Sequence, residues 1–306
     1  MKTTAVTLSD ITRSVLAVPP LARHDDLSLD RESNLRLMRH LESGGVRTLL
    51  YGGNANLYNM DTAEYGSFLD MIEELAGADT WVIPSVGPDY GKLMAEARIL
   101  KSRKFPTVMV LPLKFPSTGK GTADGIRRFT DETGLRVIAY VKDTHTLQPD
   151  DIAALVQEGR ITAVKYAVVL QKPEQDDFLT HLLQRVDKQM VISGIGERPA
   201  IVHLRQFGLP GFTSGSVCVA PRGSTALLKA LHEGRYEEAE KLRAAYIPLE
   251  DCRDEMGPIP VLHEAVTASG IADMGPMLPM MSRLEESYRA KVKVAARELL
   301  KHDETL

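Results

Sequence analysis

The sequence predicts an α/β protein, a (β/α)8 TIM barrel with a C-terminal helical extension. Eight short runs of β-branched and aliphatic residues recur along about the first 220 residues. They are continuous apolar runs rather than alternating ones, as expected for parallel strands that are covered on both faces. Amphipathic helical patterns lie between them, and the strand starts are spaced by roughly 20 to 33 residues, the size of a βα unit. Eight such units in one chain indicate a closed barrel.

The elements follow one another in a regular order. The predicted strands are residues 14–19, 46–52, 79–86, 106–113, 135–141, 161–169, 189–194 and 211–217. Four of the intervening helices have clear ends. A capping residue, a proline or acidic residues mark the first turn, or a glycine follows the last turn. These helices are predicted over 28–45, 61–77, 148–159 and 172–186, and the last of them is expected to begin at Pro173.

No strand pattern follows Pro221. Residues 224–247, 259–271 and 281–302 are typical of helices, so we expect a barrel over 1–224 and a helical extension over 225–306 that packs on it. The eighth strand is the weakest, because Gly211 and Gly215 lower its strand propensity. A doubly wound open sheet is the main alternative, but no strand–turn–helix carries the GxGxxG motif of that fold.

Composition excludes several classes of protein. The 306 residues are 43% hydrophobic and 25% charged, with a formal net charge of −4 and no basic face that would bind nucleic acid. No apolar run reaches the roughly 18 residues of a membrane span, and no signal peptide is evident. The two cysteines, Cys218 and Cys252, form neither a metal-binding spacing nor a disulfide framework. We therefore expect a cytoplasmic protein with no nucleic-acid or membrane partner.

A lysine lies inside one of the predicted strands. Residues 161–170 are almost entirely apolar or small, yet they contain Lys165. Lysine is rarely buried without a partner, and the active sites of this barrel lie at the C-terminal ends of its strands. A lysine in such a dry mouth loses its proton more easily, and the neutral amine can form a Schiff base with a carbonyl. The alternative is that Lys165 faces outward and extends its charge into solvent.

Two neighbouring features support the first interpretation. The preceding strand places Tyr140 at the equivalent position, where its hydroxyl would reach the Lys165 amine and shuttle protons, unless it is merely bonded at the rim. After the second strand, the successive N–H groups of Gly53, Asn54 and Ala55 would form an anion-binding nest suited to a substrate carboxylate. The alternative for that loop is an ordinary glycine turn.

Together these motifs resemble the dihydrodipicolinate synthase and N-acetylneuraminate lyase family of class I aldolases. The resemblance runs from about Val15 to about Met281. Its pieces occur in order along the chain: AVPP, GGNAN, IAYVKD, AVKYA, ISGIGE and GFTSGSVCVAP, one to a strand, followed by GPIPVLHEAV in the helical tail. None would suffice alone, but their order makes them specific together.

The resemblance implies a barrel with three C-terminal helices and a Schiff base between Lys165 and pyruvate or another 2-oxo acid. It implies no metal and no organic cofactor. Tyr140 would relay protons at the imine and the substrate. The backbone of Gly53 and Asn54 would hold the carboxylate of the 2-oxo acid.

The same resemblance implies two further pocket residues, a small-molecule partner and an oligomeric assembly. Gly194 and Ser214 would line the floor and the far side of the pocket. The partner of the protein would be a small-molecule 2-oxo acid. The chain itself would form a homo-oligomer, a tetramer or a dimer, since homotetramers are common in the family.

The sequence also departs from the synthase pattern. The synthase typically has a GTTGE-like loop, whose second threonine joins a hydroxyl relay to the tyrosine; here Asn54 and Asn56 stand at the threonine and glutamate positions. The fourth strand of the synthase usually ends in a proline and two tyrosines, and here Leu113 and Lys114 take those places. The hydroxyl relay is therefore largely missing.

The residues after the fifth strand differ as well. The synthase has an arginine there for the carboxylate of its second substrate, and this sequence has none. A basic residue and an aspartate follow the tyrosine instead, Lys142 and Asp143, as in the keto-deoxy sugar-acid dehydratases and aldolases. Lys142 would contact the distal part of a substrate, whereas a rim ion pair is the favoured interpretation for Asp143. His145, like Lys114, is expected to be an exposed loop charge. Glu197 would either orient a substrate hydroxyl or cap the next helix, and the cap is the favoured interpretation.

These observations predict a Schiff-base lyase, either an aldolase or a dehydratase, that needs no cofactor. Its substrate would be pyruvate or a related 2-oxo acid, a keto-deoxy sugar acid rather than the lysine-pathway substrate. A rival hypothesis from another class is a 2-oxo-acid-binding or regulatory barrel that lost its chemistry with the hydroxyl relay. A metal-dependent barrel lyase ranks last, because no His, Asp and Glu ligand set is evident at the strand ends.

Overall fold

The computed structural model describes all 306 residues and confirms the predicted barrel. All eight strands are parallel and lie within the predicted runs, in the order β7-β6-β5-β4-β3-β2-β1-β8. A parallel bridge between Ser193 and Phe212 joins the two outer strands and completes the ring. The strands are β1 Leu16–Ala17, β2 Thr48–Tyr51, β3 Trp81–Val86, β4 Val108–Val110, β5 Val137–Val141, β6 Ile161–Tyr166, β7 Val191–Ser193 and β8 Thr213–Ser214.

Helices cover the outside of the ring and form the C-terminal region. Aspartates or a threonine cap five of them by accepting a hydrogen bond from a first-turn N–H, as at Asp30 and Asp61. The helices are α1 Leu8–Thr12, α2 Arg31–Ser43, α3 Thr62–Leu75, α4 Tyr90–Leu100, α5 Gly119–Thr133, α6 Pro149–Gln157, α7 Asp177–Leu183, α8 Ala200–Arg205, α9 Pro221–His232, α10 Tyr236–Ala244, α11 Ile247–Met256, α12 Pro258–Ala268 and α13 Glu286–Asp303.

Two predicted helices have different bounds in the structure. The helix expected from Pro173 begins only at Asp177, because the Asp176 carboxylate caps it by accepting from the Leu179 N–H at 2.8 Å. The pattern over 224–247 is two helices rather than one, since Gly234 between them has a φ of 71°.

The interior consists of two apolar clusters. The larger fills the barrel and the layer between strands and helices, and it extends into α9. The smaller packs residues just before α9 against α11, α12 and α13. Because α9 runs across residue 224, the division of the chain at that residue stays a prediction. None of the helices has the length and apolar character needed to cross a bilayer.

Candidate active site

A cavity of about 690 Å³ opens at the C-terminal ends of the strands. One side of it is formed by strand ends and the loops that follow them, and the other by the segments around α11 and α12 and by Met281. Lys165 is the fifth of the six residues in β6, and Tyr140 is the fourth of five in β5. The predicted barrel mouth and the cavity therefore coincide.

Lys165 points into this cavity and not outward. Its side chain lines the cavity, yet the residue is only 4% exposed. Burial, together with the smaller effects of the cations Lys142 and Arg253, lowers the pKa of the Lys165 ammonium to about 7. A substantial fraction of the amine is therefore neutral near neutral pH, which is the form that attacks a carbonyl.

Tyr140 lies beside Lys165 because of an irregularity between the two strands. Val137 pairs with Ile161, but Ile138 pairs with Ala163, so that one residue of β6 is left without a partner. This bulge brings Tyr140 and Lys165 into register. Since a slip of one residue turns a side chain to the other face, the bulge matters for their alignment.

The aromatic ring of Tyr140, rather than its hydroxyl, faces the amine. Lys165 Nζ lies 4.3 Å from the centroid of the Tyr140 ring. A cation over a ring face is stabilised electrostatically, and both the ammonium and an iminium formed on Nζ are cations. Burial raises the pKa of Tyr140 to about 12, so the phenol keeps its proton.

Gly194 closes the floor of the cavity directly against the lysine. A Cβ on this residue would lie 2.9 Å from Lys165 Cγ and 2.7 Å from the Tyr166 carbonyl oxygen. The missing side chain therefore leaves the space that the lysine stem occupies. Gly194 lines the cavity as the sequence predicts.

The glycine loop after β2 contains backbone N–H groups that donate to no other backbone group. The N–H groups of Asn56 and Leu57 donate to the carbonyls of Gly53 and Gly52, whereas those of Gly53, Asn54 and Ala55 donate to no backbone carbonyl. Gly53 and Asn54 line the cavity. The Asn54 side chain donates to the Val18 carbonyl oxygen at 2.9 Å, which ties the loop to the end of β1. The loop thus has the donors that an anion nest requires.

Ser214 is not among the residues that line the cavity, so its place on the far side of the pocket stays a prediction. Its Oγ accepts a hydrogen bond from the Val217 N–H at 2.9 Å. Thr213 and Gly215, on either side of it, line the cavity instead. Successive side chains of a strand point to opposite faces, so the strand-eight contribution comes from the two neighbours.

The polar residues after β4 and β5 divide into two groups. Lys142 lines the cavity at its exposed rim. Asp143 does not form the expected rim ion pair, since its carboxylate accepts from the N–H groups of His145 and Thr146 at 2.8 and 3.1 Å and so holds the turn. Lys114 and His145 are exposed and lie outside the cavity wall.

Glu197 does not cap a helix, which corrects the expectation from the sequence. The N-terminal residue of the next helix is Pro199, without a side-chain cap. The Glu197 side chain is fully buried and accepts a hydrogen bond from the Ser224 hydroxyl. Its backbone N–H donates to Glu250 Oε1 at 2.9 Å, so two carboxyl groups meet where α11 joins the barrel.

Tyr58 and Arg253 line the cavity but were not identified from the sequence. Tyr58, in the short 3₁₀ turn Leu57–Asn59 that follows the glycine loop, brings a second phenol near Tyr140. The Lys92 ammonium holds this turn by donating to the carbonyls of Leu57 and Tyr58 at 2.6 and 3.2 Å. Arg253 enters from α11. Its position four residues before the GPIP motif was the available signal, but it stands among charges typical of an exposed helix face.

Residues 13–299 match the model of the dihydrodipicolinate synthetase family. The chain belongs to this family. A 4-hydroxy-tetrahydrodipicolinate synthase from Chlorobium luteolum is 24% identical over 278 residues, covering 87% of this chain and 86% of the relative.

Solved structures of the family agree with the fold. Dihydrodipicolinate synthase from Oceanobacillus iheyensis superposes with a TM-score of 0.83 at 23% identity, covering 97% of this chain and 98% of that one. The Thermotoga maritima enzyme gives 0.82 at 18% identity, covering 97% and 100%. Members of this family are class I Schiff-base lyases and synthases that act on small molecules, and they are typically oligomeric.

Proposed function

We propose that this protein is a lysine-dependent lyase that acts on pyruvate or a related 2-oxo acid through a Schiff base at Lys165. The observation that carries the proposal is the buried Lys165 amine, whose lowered pKa leaves it reactive in a cavity that also contains Tyr140 and the glycine loop. The reaction class comes from the family, and the site residues come from the geometry described above.

The first steps use residues on the cavity floor. The neutral Lys165 amine attacks the C2 carbonyl of the 2-oxo acid, and the carbinolamine loses water to give an iminium cation. The Tyr140 ring stabilises this cation from 4.3 Å. The substrate carboxylate accepts hydrogen bonds from the free N–H groups of Gly53 and Asn54.

The later steps move electrons into the iminium. In an aldolase, a base takes the proton of the C4 hydroxyl, the C3–C4 bond breaks to release an aldehyde, and the electron pair forms an enamine that a proton at C3 returns to an iminium. In a dehydratase, loss of a C3 proton forms the enamine, whose electron pair then expels the C4 hydroxyl as water and leaves a conjugated iminium. Water finally hydrolyses the iminium and releases the 2-oxo product from Lys165. The Tyr140 hydroxyl is the proton carrier, and no metal or organic cofactor is required.

The substrate proposed is a keto-deoxy sugar acid. The hydroxyl groups that a synthase has at two positions are missing here. Asn54 replaces the threonine, and its side-chain amide donates to the Val18 carbonyl oxygen. Lys114 replaces a tyrosine and lies outside the cavity. The cavity of about 690 Å³ is within the range of about 300–1,000 Å³ typical of small-molecule sites and has room for more than pyruvate. By the same family argument we propose a homotetramer or a homodimer.

Borohydride trapping tests the proposal. The protein is incubated with pyruvate and with a series of longer 2-oxo sugar acids, reduced, digested and analysed by peptide mass spectrometry. We expect a stable adduct on Lys165 and at least about a thousandfold loss of turnover in Lys165→Ala, as when other catalytic nucleophiles are removed. Lys114→Ala is the matched control, because this lysine is exposed and lies off the cavity wall.

The opposite outcomes are equally clear. If Lys165→Ala retained full turnover of the trapped substrate, the Schiff-base mechanism would be wrong. If the protein bound 2-oxo acids without an adduct, and Lys165→Arg kept that affinity, the barrel would be a binding or regulatory protein and not a lyase.

A further inference from the structure

Arg253 enters the active-site cavity from the C-terminal region. It lies in the last turn of α11, and its side chain is only 14% exposed. It packs over Gly196, where a Cβ would collide with Glu250 Oε1 and would lie 3.1 Å from Arg253 Nη1. Since Gly196 also has a φ of 111°, which disfavours other residues, the backbone there leaves space for both side chains.

The charge of Arg253 is poorly neutralised by the protein. Its nearest acid is Glu250, with Nη1 and Oε1 separated by 3.4 Å, and its buried Nε has no hydrogen-bond partner. Glu250 is itself buried beside Glu197, and burial together with that second carboxyl raises the pKa of Glu250 well above its usual range. Because two carboxyl groups buried side by side disfavour two negative charges, Glu250 is a weaker counter-ion for Arg253 than an isolated carboxylate would be.

The acid beside Arg253 on the cavity wall is engaged elsewhere. Asp254 lines the cavity, but its carboxylate lies 3.4 Å from Arg198 Nε on the outer side. Arg198 also pairs with Asp251. The guanidinium of Arg253 thus remains available to a ligand inside the cavity.

Three cationic side chains share this one cavity: Lys165 on the floor, Lys142 at the rim and Arg253 on the helical wall. Lys142 and Arg253 both act electrostatically on Lys165, and Arg253 also acts on Tyr140, so they lie within range of the reacting atoms. The glycine loop already supplies donors for one carboxylate. The two additional cations are therefore in excess of what a monoanionic substrate needs.

We infer that Arg253, assisted by Lys142, binds a second carboxylate at the distal end of the substrate, which would be a 2-oxo diacid. This inference rests on the proposed Schiff-base function and specifies the substrate class. A guanidinium pairs with a carboxylate through two parallel N–H···O bonds. The neighbouring wall includes Pro258 and Pro260, which have no N–H to donate, and no cation other than Lys142, Lys165 and Arg253 lines the cavity.

A matched pair of substrates tests the inference. Two six-carbon 3-deoxy-2-oxo acids are compared, one ending in a carboxylate and the other in a hydroxymethyl group. We expect kcat/KM to favour the diacid by at least about tenfold, and Arg253→Gln to remove most of that preference, because a site built for a charged partner discriminates strongly. Arg253→Lys, which keeps the charge but not the planar geometry, should give an intermediate ratio.

The ratio of kcat/KM for the two acids distinguishes a binding role of Arg253 from a structural one. Each variant is also assayed by borohydride trapping of pyruvate, which has no distal group, and the loss for the diacid should exceed the loss for pyruvate by at least about tenfold. Arg36→Gln removes the same charge from the exposed face of α2 and should leave the ratio unchanged. Melting temperatures verify that the variants are folded.

Failure of this inference differs from failure of the proposed function. Equal kcat/KM for the two acids, or equal losses for the diacid and pyruvate in Arg253→Gln, would overturn the Arg253 assignment while the Lys165 adduct stood. Preference for an acid ending in a phosphate would overturn the carboxylate class. No Lys165 adduct with any compound would overturn the proposed function itself.

Discussion

The two walls of the cavity differ in how they are built. The strand-end wall holds Lys165 and Gly194 on the floor, where the side chains are fixed by neighbours that leave no free space. The helical wall holds Arg253, Met256 and Met281, which come from segments packed on the barrel and are only partly buried. The first wall is therefore packed more tightly than the second.

This difference separates chemistry from selectivity. Schiff-base formation needs an amine whose position and protonation state are set by burial, and only the barrel floor provides that. In the proposed function, discrimination among 2-oxo acids is made further from the lysine, by Arg253 on the helical wall. Substitutions on the floor should therefore affect all substrates alike, whereas those on the helical wall should affect one substrate relative to another.

Tyr140→Phe should give the largest effect on the floor after loss of the lysine itself. Removing the hydroxyl removes the proton carrier, and general acid–base groups contribute typically 10²- to 10⁴-fold to turnover. The ring that faces Lys165 Nζ is kept, so the pyruvate adduct should still form. Steady-state turnover and trapping are measured on the same samples, with Tyr90→Phe, an exposed tyrosine on α4, as the control.

Unchanged turnover in Tyr140→Phe would show that the phenol serves only as a wall of the cavity. Tyr58, whose ring also lines the cavity, would then be the next phenol to test.

Gly194→Ala should give the next largest effect, by moving the lysine. The new Cβ would lie 2.9 Å from Lys165 Cγ and 2.7 Å from the Tyr166 carbonyl oxygen, and the backbone oxygen cannot give way easily. A displacement of about 1 Å at a reacting group can cost about a hundredfold, and we expect that loss in the rate of adduct formation for every 2-oxo acid. Gly66→Ala in α3, where a Cβ would meet only atoms at 3.8 and 3.9 Å, is the control.

If Gly194→Ala slowed adduct formation only for the larger 2-oxo acids, the floor would contribute to selectivity, which would contradict the division of roles between the two walls.

Much of the barrel floor could be predicted from the sequence. Each strand is a continuous apolar run, and a lysine within such a run indicates a functional residue because lysine is rarely buried. The family motifs then pointed to Tyr140 and Gly194 through their order along the chain. The sequence could not show the bulge in β6, which pairs Ile138 with Ala163 and so brings Tyr140 level with Lys165.

The helical wall was largely outside the reach of sequence reasoning. Arg253 stands in a run of charged residues, and only the packing of α11 on the barrel shows that its side chain turns inward. The buried pair of Glu197 and Glu250 also depends on contacts between segments 53 residues apart. The place of Ser214 stays a prediction, since in a short strand a shift of one residue exchanges the inward and outward faces.

The smallest expected effect is on the pH dependence of adduct formation, where the charge of Arg253 on the helical wall acts on the pKa of Lys165 on the floor. The free amine attacks and the ammonium does not, so the rate of pyruvate trapping should fall as the pH is lowered through about 7, the pKa of Lys165, and approach tenfold per pH unit below it. Burial is the largest cause of this low pKa, and Lys142 and Arg253 are smaller ones.

Removing one cation in Arg253→Gln should therefore move the midpoint to higher pH by less than about one unit. Arg36→Gln, remote from the cavity, should leave it in place. A midpoint near 10 in the unsubstituted protein would mean that the amine is not desolvated, and a downward shift in Arg253→Gln would mean that Arg253 acts on Lys165 through structure and not through its charge.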